Sequence, residues 1–361
     1  MIGTRGRRTP VALAAIPPYI LITPPFIPPS RQGHRPVMTQ PLVSVITPCH
    51  NAGSFVYRLL DSILAQSYGR IEMILVDDGS SDDTQRVVDP YIRRFEEKGY
   101  ALKYLYQSHQ GQAAAINTGL QVFTGEYLTW PDADDFLAPE SVERRVAYLI
   151  ANPVCGLVRC NGYFVAEAQG DIVRRGRIFN DELRFRQHLF DDLLFENIGL
   201  SAVANMVRTT ALLDAYPGRR IHESRAGQNF QLLLPVASRF RSGFVDEDLC
   251  YILERPGSHS RVQRSYKEKI ERLDDFVEII RATLHHCDCD ENHYNNEFSL
   301  HMARKKFQLA RKHGDSDTAR REAGTLFRQG RMGIRDALRY MDMELGILAR
   351  RMARIFGVSR T

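Results

Sequence analysis

The chain has 361 residues, 43% hydrophobic and 25% charged, a composition typical of a globular protein and not of a disordered or fibrous one. Its net charge of +5 is unevenly spread. Residues 1–40 hold five arginines and no acid, and residues 302–361 hold 15 basic against 6 acidic residues, so the part between is net acidic. Six cysteines without a regular framework favour a reducing cytoplasm. No aromatic or groove-reading pattern accompanies the basic ends, which argues against nucleic-acid binding.

The first 37 residues do not read as part of a folded domain. Eight of the chain's 17 prolines fall within residues 1–40. The apolar run at 11–27 is shorter than the ~20 residues that span a bilayer, and two Pro-Pro pairs break it. We predict that residues 1–37 are a disordered extension, or an artefact of start-site choice with Met38 as the real initiator.

From residue 41 onward, short apolar runs alternate with segments of helical period. Strand–helix repeats of this length predict an α/β fold, in which a mostly parallel sheet has right-handed crossovers and flanking helices. The predicted elements are strands within 43–51, at 71–76 and at 102–107, helices at 56–64 and 84–97, and a helix opened by SHQGQAAAINTGL.

Three carboxylates follow the next strand directly. TGEYLTW reads as a strand that Pro131 stops, and Asp132, Asp134 and Asp135 come after it. Ligands of open α/β sheets bind at the carboxyl ends of the strands. Carboxylates this close repel one another unless a cation lies among them, and oxygen ligands favour Mg²⁺ or Mn²⁺. The sequence therefore predicts a metal–diphosphate site, with a turn of solvated aspartates as the alternative.

Four ordered motifs give the chain its resemblance to a known family. VSVITPCHN, ILVDDGSSDDT, GQAAAINTGL and YLTWPDADD closely resemble the inverting family 2 glycosyltransferases, which have the GT-A fold. The resemblance implies a GT-A domain over residues 38–262. It also implies Mn²⁺- or Mg²⁺-dependent transfer of a sugar, of the hexosyltransferase type, from a nucleotide-sugar donor to a glycan or lipid-linked acceptor. Cell-surface polysaccharide synthesis is what the family commonly does.

The resemblance assigns the nucleotide side of the site to the first two strand ends. Thr47 and Pro48 match the loop that lines the base and ribose, and Asn51 follows in the same loop. Asp78, with Asp77 as its neighbour, matches the carboxylate that hydrogen-bonds the base. A carboxylate that accepts from a ring N–H suits uracil or thymine, so a UDP-sugar is favoured.

The resemblance assigns the diphosphate and metal to the segment after the fourth strand. Asp132 and Asp134 match the metal-binding D-x-D, Ala133 lies between them, and Asp135 is expected to face the ribose or donor sugar. Gln112 stands where many relatives carry Lys, which leaves more of the charge neutralisation to the metal.

A second, later loop is expected to close over the donor. The stretch ERPGSHSR at 254–261 resembles that family loop. His259 is the candidate for a further metal contact, and Arg261 is the candidate for pairing with phosphate oxygens. An ordinary polar loop is the alternative.

The sequence departs from the family at the general base. Relatives usually begin a later helix with Glu-Asp, whereas the matching helix here begins with Gln228-Asn229, and an amide cannot take a proton at neutral pH. Glu223 lies five residues earlier. Three hypotheses stay open: Glu223 is a relocated base, the acceptor is acidic enough to need little help, or the enzyme is inactive.

Two other functions compete with glycosyl transfer. The first is that the protein is a degenerate relative, which binds a donor as a non-catalytic scaffold. Gln228-Asn229 favours this hypothesis, and the intact Asp132-Ala-Asp134 argues against it. A sugar nucleotidyltransferase should carry a glycine- and basic-rich triphosphate loop after its first strand, and PCHNAGS lacks both parts.

Residues 263–361 read as a basic helical region that ends in a heptad stripe with arginines beside it. The stripe predicts one of three contacts: a second copy in a homodimer, the catalytic domain, or an anionic membrane. We therefore expect a cytoplasmic protein, either free or peripheral at the inner face of the membrane. The stripe consists of Ile334, Leu338, Met341, Leu345, Leu348, Met352 and Ile355.

Overall fold

The computed structural model describes residues 40–168, 170–224, 227–255 and 264–355. The predicted extension, residues 1–37, lies outside them. The strands are β1 (Val43–Cys49), β2 (Ile71–Asp78), β3 (Ala101–Gln107), β4 (Tyr127–Thr129), β5 (Phe136–Leu137), β6 (Cys155–Ala168), β7 (Asp171–Arg177), β8 (Asn205–Arg208) and β9 (Arg241–Leu253). The helices are α1 (Val56–Leu64), α2 (Thr84–Lys98), α3 (Gln112–Val122), α4 (Ser141–Ala151), α5 (Phe190–Leu194), α6 (Thr209–Ala215), α7 (Gln228–Arg239), α8 (Tyr266–Leu284), α9 (Glu291–His313), α10 (Ser316–Arg328) and α11 (Ile334–Ile355).

A single sheet forms the centre of the fold. Its strand order is β3-β2-β1-β4-β8-β6-β9-β5, and β7 pairs with β6. The strands β1 to β4 are parallel to their neighbours within that group, as predicted. The other strands form a mixed sheet, in which β6 and β9 are parallel and β5, β7 and β8 pair antiparallel. The carboxyl ends of β1, β2 and β4 therefore meet at one edge.

The predicted elements of the first half are confirmed to within two residues, except that only Tyr127–Thr129 of the predicted strand TGEYLTW forms β4. Strands β1 and β2 are buried along their whole length, because helices cover both faces of a parallel sheet. The helical stripe of α1 turns inward, with Val56, Leu59 and Ile63 completely buried. Burial of each such side chain stabilises the fold by about 1.5–3 kcal/mol.

The helices that follow the sheet domain divide into two groups. Ile280 and Leu284 of α8 and Phe298 and Met302 of α9 belong to the same core as the strands. A second, smaller core lies between α9 and α10 around Phe307. Within the described residues, no helix is long and apolar enough to cross a bilayer.

Helix α11 leaves its heptad stripe exposed. Tyr340 and Met343 pack on the second core, but the six stripe residues from Ile334 to Met352 are exposed. The alternative that this stripe packs on the catalytic domain is therefore wrong for those residues. The sequence pattern specified the apolar face but not what would cover it.

Candidate active site

The three carboxylates after β4 lie together at the edge where the parallel strands end. Asp135 is buried, and its N–H donates to the carbonyl oxygen of Asp132 at 3.1 Å, which closes a tight turn. Burial, with the nearby charge of Asp134, raises the pKa of Asp132 to about 7. Burial and the same neighbouring charges raise the pKa of Asp135 well above its usual range. Both shifts disfavour the ionised form, and a cation that offsets the crowded negative charge would reverse them.

Two side chains from other elements hold this cluster. Gln112, the first residue of α3, donates from Nε2 to Asp132 Oδ1 at 2.6 Å. Arg255, just after β9, donates from Nε to Asp134 Oδ2 at 2.9 Å, and its guanidinium lies 3.9 Å from the centre of the Phe55 ring. The sequence interpretation missed Arg255, although it had singled out the loop that this residue enters. Its two candidates there, His259 and Arg261, lie outside the described residues.

Asp78 is buried and holds the loop between β3 and α3. Its Oδ1 accepts from Gln107 Nε2 at 2.8 Å and from the Gln110 N–H at 2.9 Å. Its Oδ2 accepts from the Gly111 N–H at 2.7 Å and lies 2.9 Å from His109 Nδ1. Three hydrogen-bond donors thus occupy most of the acceptor capacity of this carboxylate, and His109 lies against the rest. Contact of Asp78 with a nucleotide base stays a prediction.

Two histidines form a small platform beside this loop. The rings of His50 and His109 stack with centroids 4.4 Å apart, and each Nδ1 donates to the carbonyl oxygen of Asp78. Asn51, in the left-handed region with a φ of 50°, accepts from the Ser81 N–H at 2.8 Å. Neither histidine was predicted as a site residue, and only their position in loops after strands could have indicated them.

The remaining predicted nucleotide contacts lie at the ends of β1 and β2. Thr47 and Pro48 are buried in β1, and the Thr47 hydroxyl has no hydrogen-bond partner in the described part of the chain. Asp77 accepts from the Ser80 N–H at 2.7 Å and from the Tyr104 hydroxyl. The strand ends thus bring the predicted residues to the same edge as the carboxylate cluster.

The amides in place of the expected base also reach this edge. The indole N–H of Trp130 donates to Asn229 Oδ1 at 2.8 Å. Because an indole can only donate, this contact fixes the Asn229 oxygen and leaves its NH₂ as a donor. Gln228 beside it is buried.

Glu223 lies in a different set of contacts. Its Oε1 accepts from Arg220 Nη2 at 2.5 Å, and 46% of its side chain is exposed. It lines a cavity of about 180 Å³ together with Asp275 and Glu278 of α8. None of the residues that line this cavity belongs to the carboxylate cluster.

No group of three or more His, Cys, Asp or Glu side chains is arranged to hold a metal ion among the described residues. Asp132 and Asp134 nevertheless offer only oxygen atoms, and the raised pKa of Asp132 reflects crowded, desolvated negative charge. That donor chemistry fits a hard divalent ion, provided that a bound anion supplies the other ligands.

A mixed α/β sheet with carboxylates at its strand ends is typical of enzymes that bind nucleotides. The model of the family described as Glycosyl transferase family 2 matches residues 44–211 of this chain. An uncharacterized glycosyltransferase of Haemophilus influenzae is 34% identical over 139 residues, which are 38% of this chain and 53% of that protein. Glycosyltransferase GlyA of Streptococcus pneumoniae is 27% identical over 222 residues, 59% of this chain and 28% of that one. The chain thus spans about half or less of the length of these relatives.

Solved structures share the fold at low sequence identity. S. aureus TarS 1–349 in complex with UDP-GlcNAc aligns with a TM-score of 0.54 and 18% identity, covering 84% of this chain and 79% of that one. Mannosyltransferase PcManGT from Pyrobaculum calidifontis, in complex with GDP-Man and Mn2+, aligns with a TM-score of 0.51 and 17% identity, covering 88% and 81%. The predicted GT-A fold with a C-terminal helical region is confirmed.

Proposed function

We propose that this protein transfers a hexosyl group, with inversion, from a nucleotide-diphosphate sugar to a glycan or lipid-linked acceptor, in cell-surface polysaccharide synthesis. The observation that carries the proposal is the cluster of Asp132, Asp134 and Asp135 at the carboxyl edge of the sheet, in a family 2 domain. A UDP-sugar is the favoured donor, and Mn²⁺ or Mg²⁺ is the expected cofactor. The Mn2+ complex of PcManGT supports the use of a divalent ion.

The donor diphosphate is expected at the start of α3. Gly111 and Gln112 begin this helix beside Asp132, and a helix N-terminus favours an anion through its N–H groups and its dipole. Gln112 is neutral and adds no charge of its own. Asp132 and Asp134 would hold the divalent ion, which when bound acts as a Lewis acid on the phosphate oxygens.

The acceptor side needs a group that takes a proton, unless the acceptor is already ionised. Asn229 cannot serve, since its oxygen accepts from Trp130 and its NH₂ can only donate. Asn229 is instead suited to orient an acceptor oxygen. Glu223 remains the candidate base, and it must leave Arg220 to act.

The proposal is tested by measuring Mn²⁺-dependent hydrolysis of a panel of nucleotide sugars by the full chain, then transfer to cell-envelope acceptors. Asp134→Ala should lower turnover of the preferred donor by at least about 100-fold, since a Lewis acid supplies several kcal/mol of charge stabilisation. Glu223→Gln should slow transfer but not hydrolysis if Glu223 is the base. Asp288→Ala, in the loop between α8 and α9, is the matched control and should be silent.

Each alternative function has its own outcome in this experiment. Donor binding without turnover, even with acceptors present, would favour the scaffold hypothesis. Release of pyrophosphate from a nucleoside triphosphate and a sugar phosphate would indicate a sugar nucleotidyltransferase. Failure to bind any nucleotide would contradict glycosyl transfer itself.

A further inference from the structure

Helix α11, of 22 residues, presents an apolar stripe to solvent from Ile334 to Met352. The exposed fraction is 81% for Ile334 and 65% for Leu345, which is far above that of a packed helix face. The opposite face packs on the second core through Tyr340 and Met343. The outward stripe consists of Ile334, Leu338, Met341, Leu345, Leu348 and Met352, all at least 45% exposed.

The charges of α11 are sorted between its two faces. Asp336 is buried and accepts from Arg304 Nε of α9 at 2.8 Å. Glu344 accepts from Arg320 of α10 through both carboxylate oxygens, at 2.7 and 2.9 Å. Two of the three acids on the helix are thus neutralised by neighbouring helices, and Asp342 alone is exposed. The exposed arginines of the helix are Arg335, Arg339, Arg350 and Arg351, and at about 100° per residue Arg335 and Arg351 are the two that flank the stripe.

A second copy of the helix is a poor partner for this stripe. In a parallel coiled coil, specificity comes from oppositely charged residues beside the apolar stripe. One residue of each pair lies on each helix, and the two are five positions apart in residue number. Here those pairs would be Ala337 with Asp342 and Glu344 with Ala349, so no ion pair forms. In an antiparallel pair, Glu344 is already held by Arg320, which leaves Asp342 as the one described flanking acid that could meet an arginine of the second copy.

We infer that the outward face of α11 binds an anionic phospholipid surface. A helix of 22 residues is about 33 Å long and can lie flat in the interface, with its apolar stripe at the headgroup–acyl boundary. The flanking arginines would then meet lipid phosphates, and each basic residue near such a surface strengthens binding by about fivefold. This inference does not depend on the proposed glycosyl transfer.

The full chain should therefore cosediment with vesicles of phosphatidylglycerol and phosphatidylcholine, and much less with phosphatidylcholine alone. Leu338→Asp with Leu345→Asp should weaken binding more than tenfold. Arg335→Gln with Arg351→Gln should weaken it about 25-fold, at about fivefold per arginine. Raising the ionic strength should release the wild-type protein, because salt screens exposed charges.

Matched controls distinguish vesicle binding by the α11 face from binding by other surfaces. All variants keep the basic first 40 residues, so any contribution from those residues is the same in each. Val154→Asp replaces an apolar residue that is 59% exposed outside α11. Arg86→Gln with Arg93→Gln removes two exposed arginines from α2. Both controls should bind vesicles as the wild type does. Circular dichroism should show all variants folded, since none touches a core.

Three outcomes would overturn the inference. The first is absence of binding to anionic vesicles. The second is equal loss of binding in the control variants. The third is a dimer in analytical ultracentrifugation that Leu338→Asp with Leu345→Asp dissociates while vesicle binding is unchanged, because the stripe would then be covered by a second copy.

Discussion

At the proposed metal site, Arg255 and a divalent ion would compete for the carboxylate of Asp134. The guanidinium lies 2.9 Å from Asp134 Oδ2, and both side chains are partly buried, with 30% and 17% of their surface exposed. Without a bound cation, this ion pair offsets part of the repulsion within the cluster. An ion that binds Asp134 has to displace Arg255 or share the carboxylate with it.

Arg255→Gln should therefore tighten the binding of Mn²⁺ alone. A partly exposed ion pair contributes up to about 1 kcal/mol, so the expected gain in affinity is about fivefold or less. Titration of free Mn²⁺ by electron paramagnetic resonance measures it. Arg58→Gln, which removes the ion pair with Glu167, is the control and should leave the affinity unchanged. Weaker Mn²⁺ binding in Arg255→Gln would contradict the competition.

At the residue scale, the sequence predicted site positions better than it predicted their contacts. The pattern of carboxylates after a strand pointed to Asp132 and the family resemblance pointed to Asp78, and their roles at the site stay predictions. Their hydrogen-bond partners come from segments distant along the chain, such as Gln107 for the first and Gln112 for the second. Arg255 lies 121 residues after Asp134, and no spacing rule relates the two.

At the scale of elements, Glu72 joins three strands and a turn inside the sheet. It is only 4% exposed, and it accepts from Ser44 Oγ of β1 at 2.6 Å and from Lys103 Nζ of β3 at 3.1 Å. The Thr124 N–H, which follows α3, donates to it at 2.6 Å. Burial acts to raise the pKa of Glu72, but these hydrogen bonds outweigh it and hold the pKa below its usual value.

The stability that Glu72 contributes should depend on pH. Because its folded pKa is lowered, the contribution is present above the unfolded pKa of about 4.3 and is lost as the pH falls through the folded pKa. Glu72→Gln should cost about 1.5–3 kcal/mol in free energy of unfolding at pH 7, the range for hydrogen bonds to charged groups. The cost should shrink toward pH 3.

Urea unfolding of both proteins at neutral and acid pH measures this difference. Glu97→Gln on α2, an exposed acid paired with Arg93, is the control and should change the free energy of unfolding little at either pH. A cost for Glu72→Gln that is equal at both pH values would mean that the charge of Glu72 does not matter.

Elements with strong periodicity were predictable, and those defined by pairing were not. The runs of β1 and β2 are mostly apolar, so length and flanking loops identified them. Strand β7 is exposed over most of its length and carries the charged sequence DIVRRGR, so no apolar pattern marks it. Strand β7 forms because β6 extends beyond the core, and β7 pairs with this extension antiparallel.

At the scale of the whole molecule, the C-terminal helices are part of what makes the sheet domain stable. The sequence suggested a GT-A domain over residues 38–262 and a separate helical region, and that boundary stays a prediction. However, Ile280, Leu284, Phe298 and Met302 are at most 1% exposed and share the core of the strands. A boundary that is visible in sequence resemblance is not always a boundary of cooperative folding.

Truncation should distinguish these two kinds of boundary. A chain that ends at residue 262 loses four fully buried apolar side chains, each contributing about 1.5–3 kcal/mol, which together rival the 5–15 kcal/mol stability of a typical domain. We expect it to be insoluble. A chain that ends at residue 332 loses α11, with its contacts from Tyr340 and Met343 and its ion pairs to Arg304 and Arg320, but none of the main core, so it should melt cooperatively at a reduced temperature. Soluble yield and thermal melts measure both; a cooperative melt of the shorter chain would establish the sheet domain as autonomous.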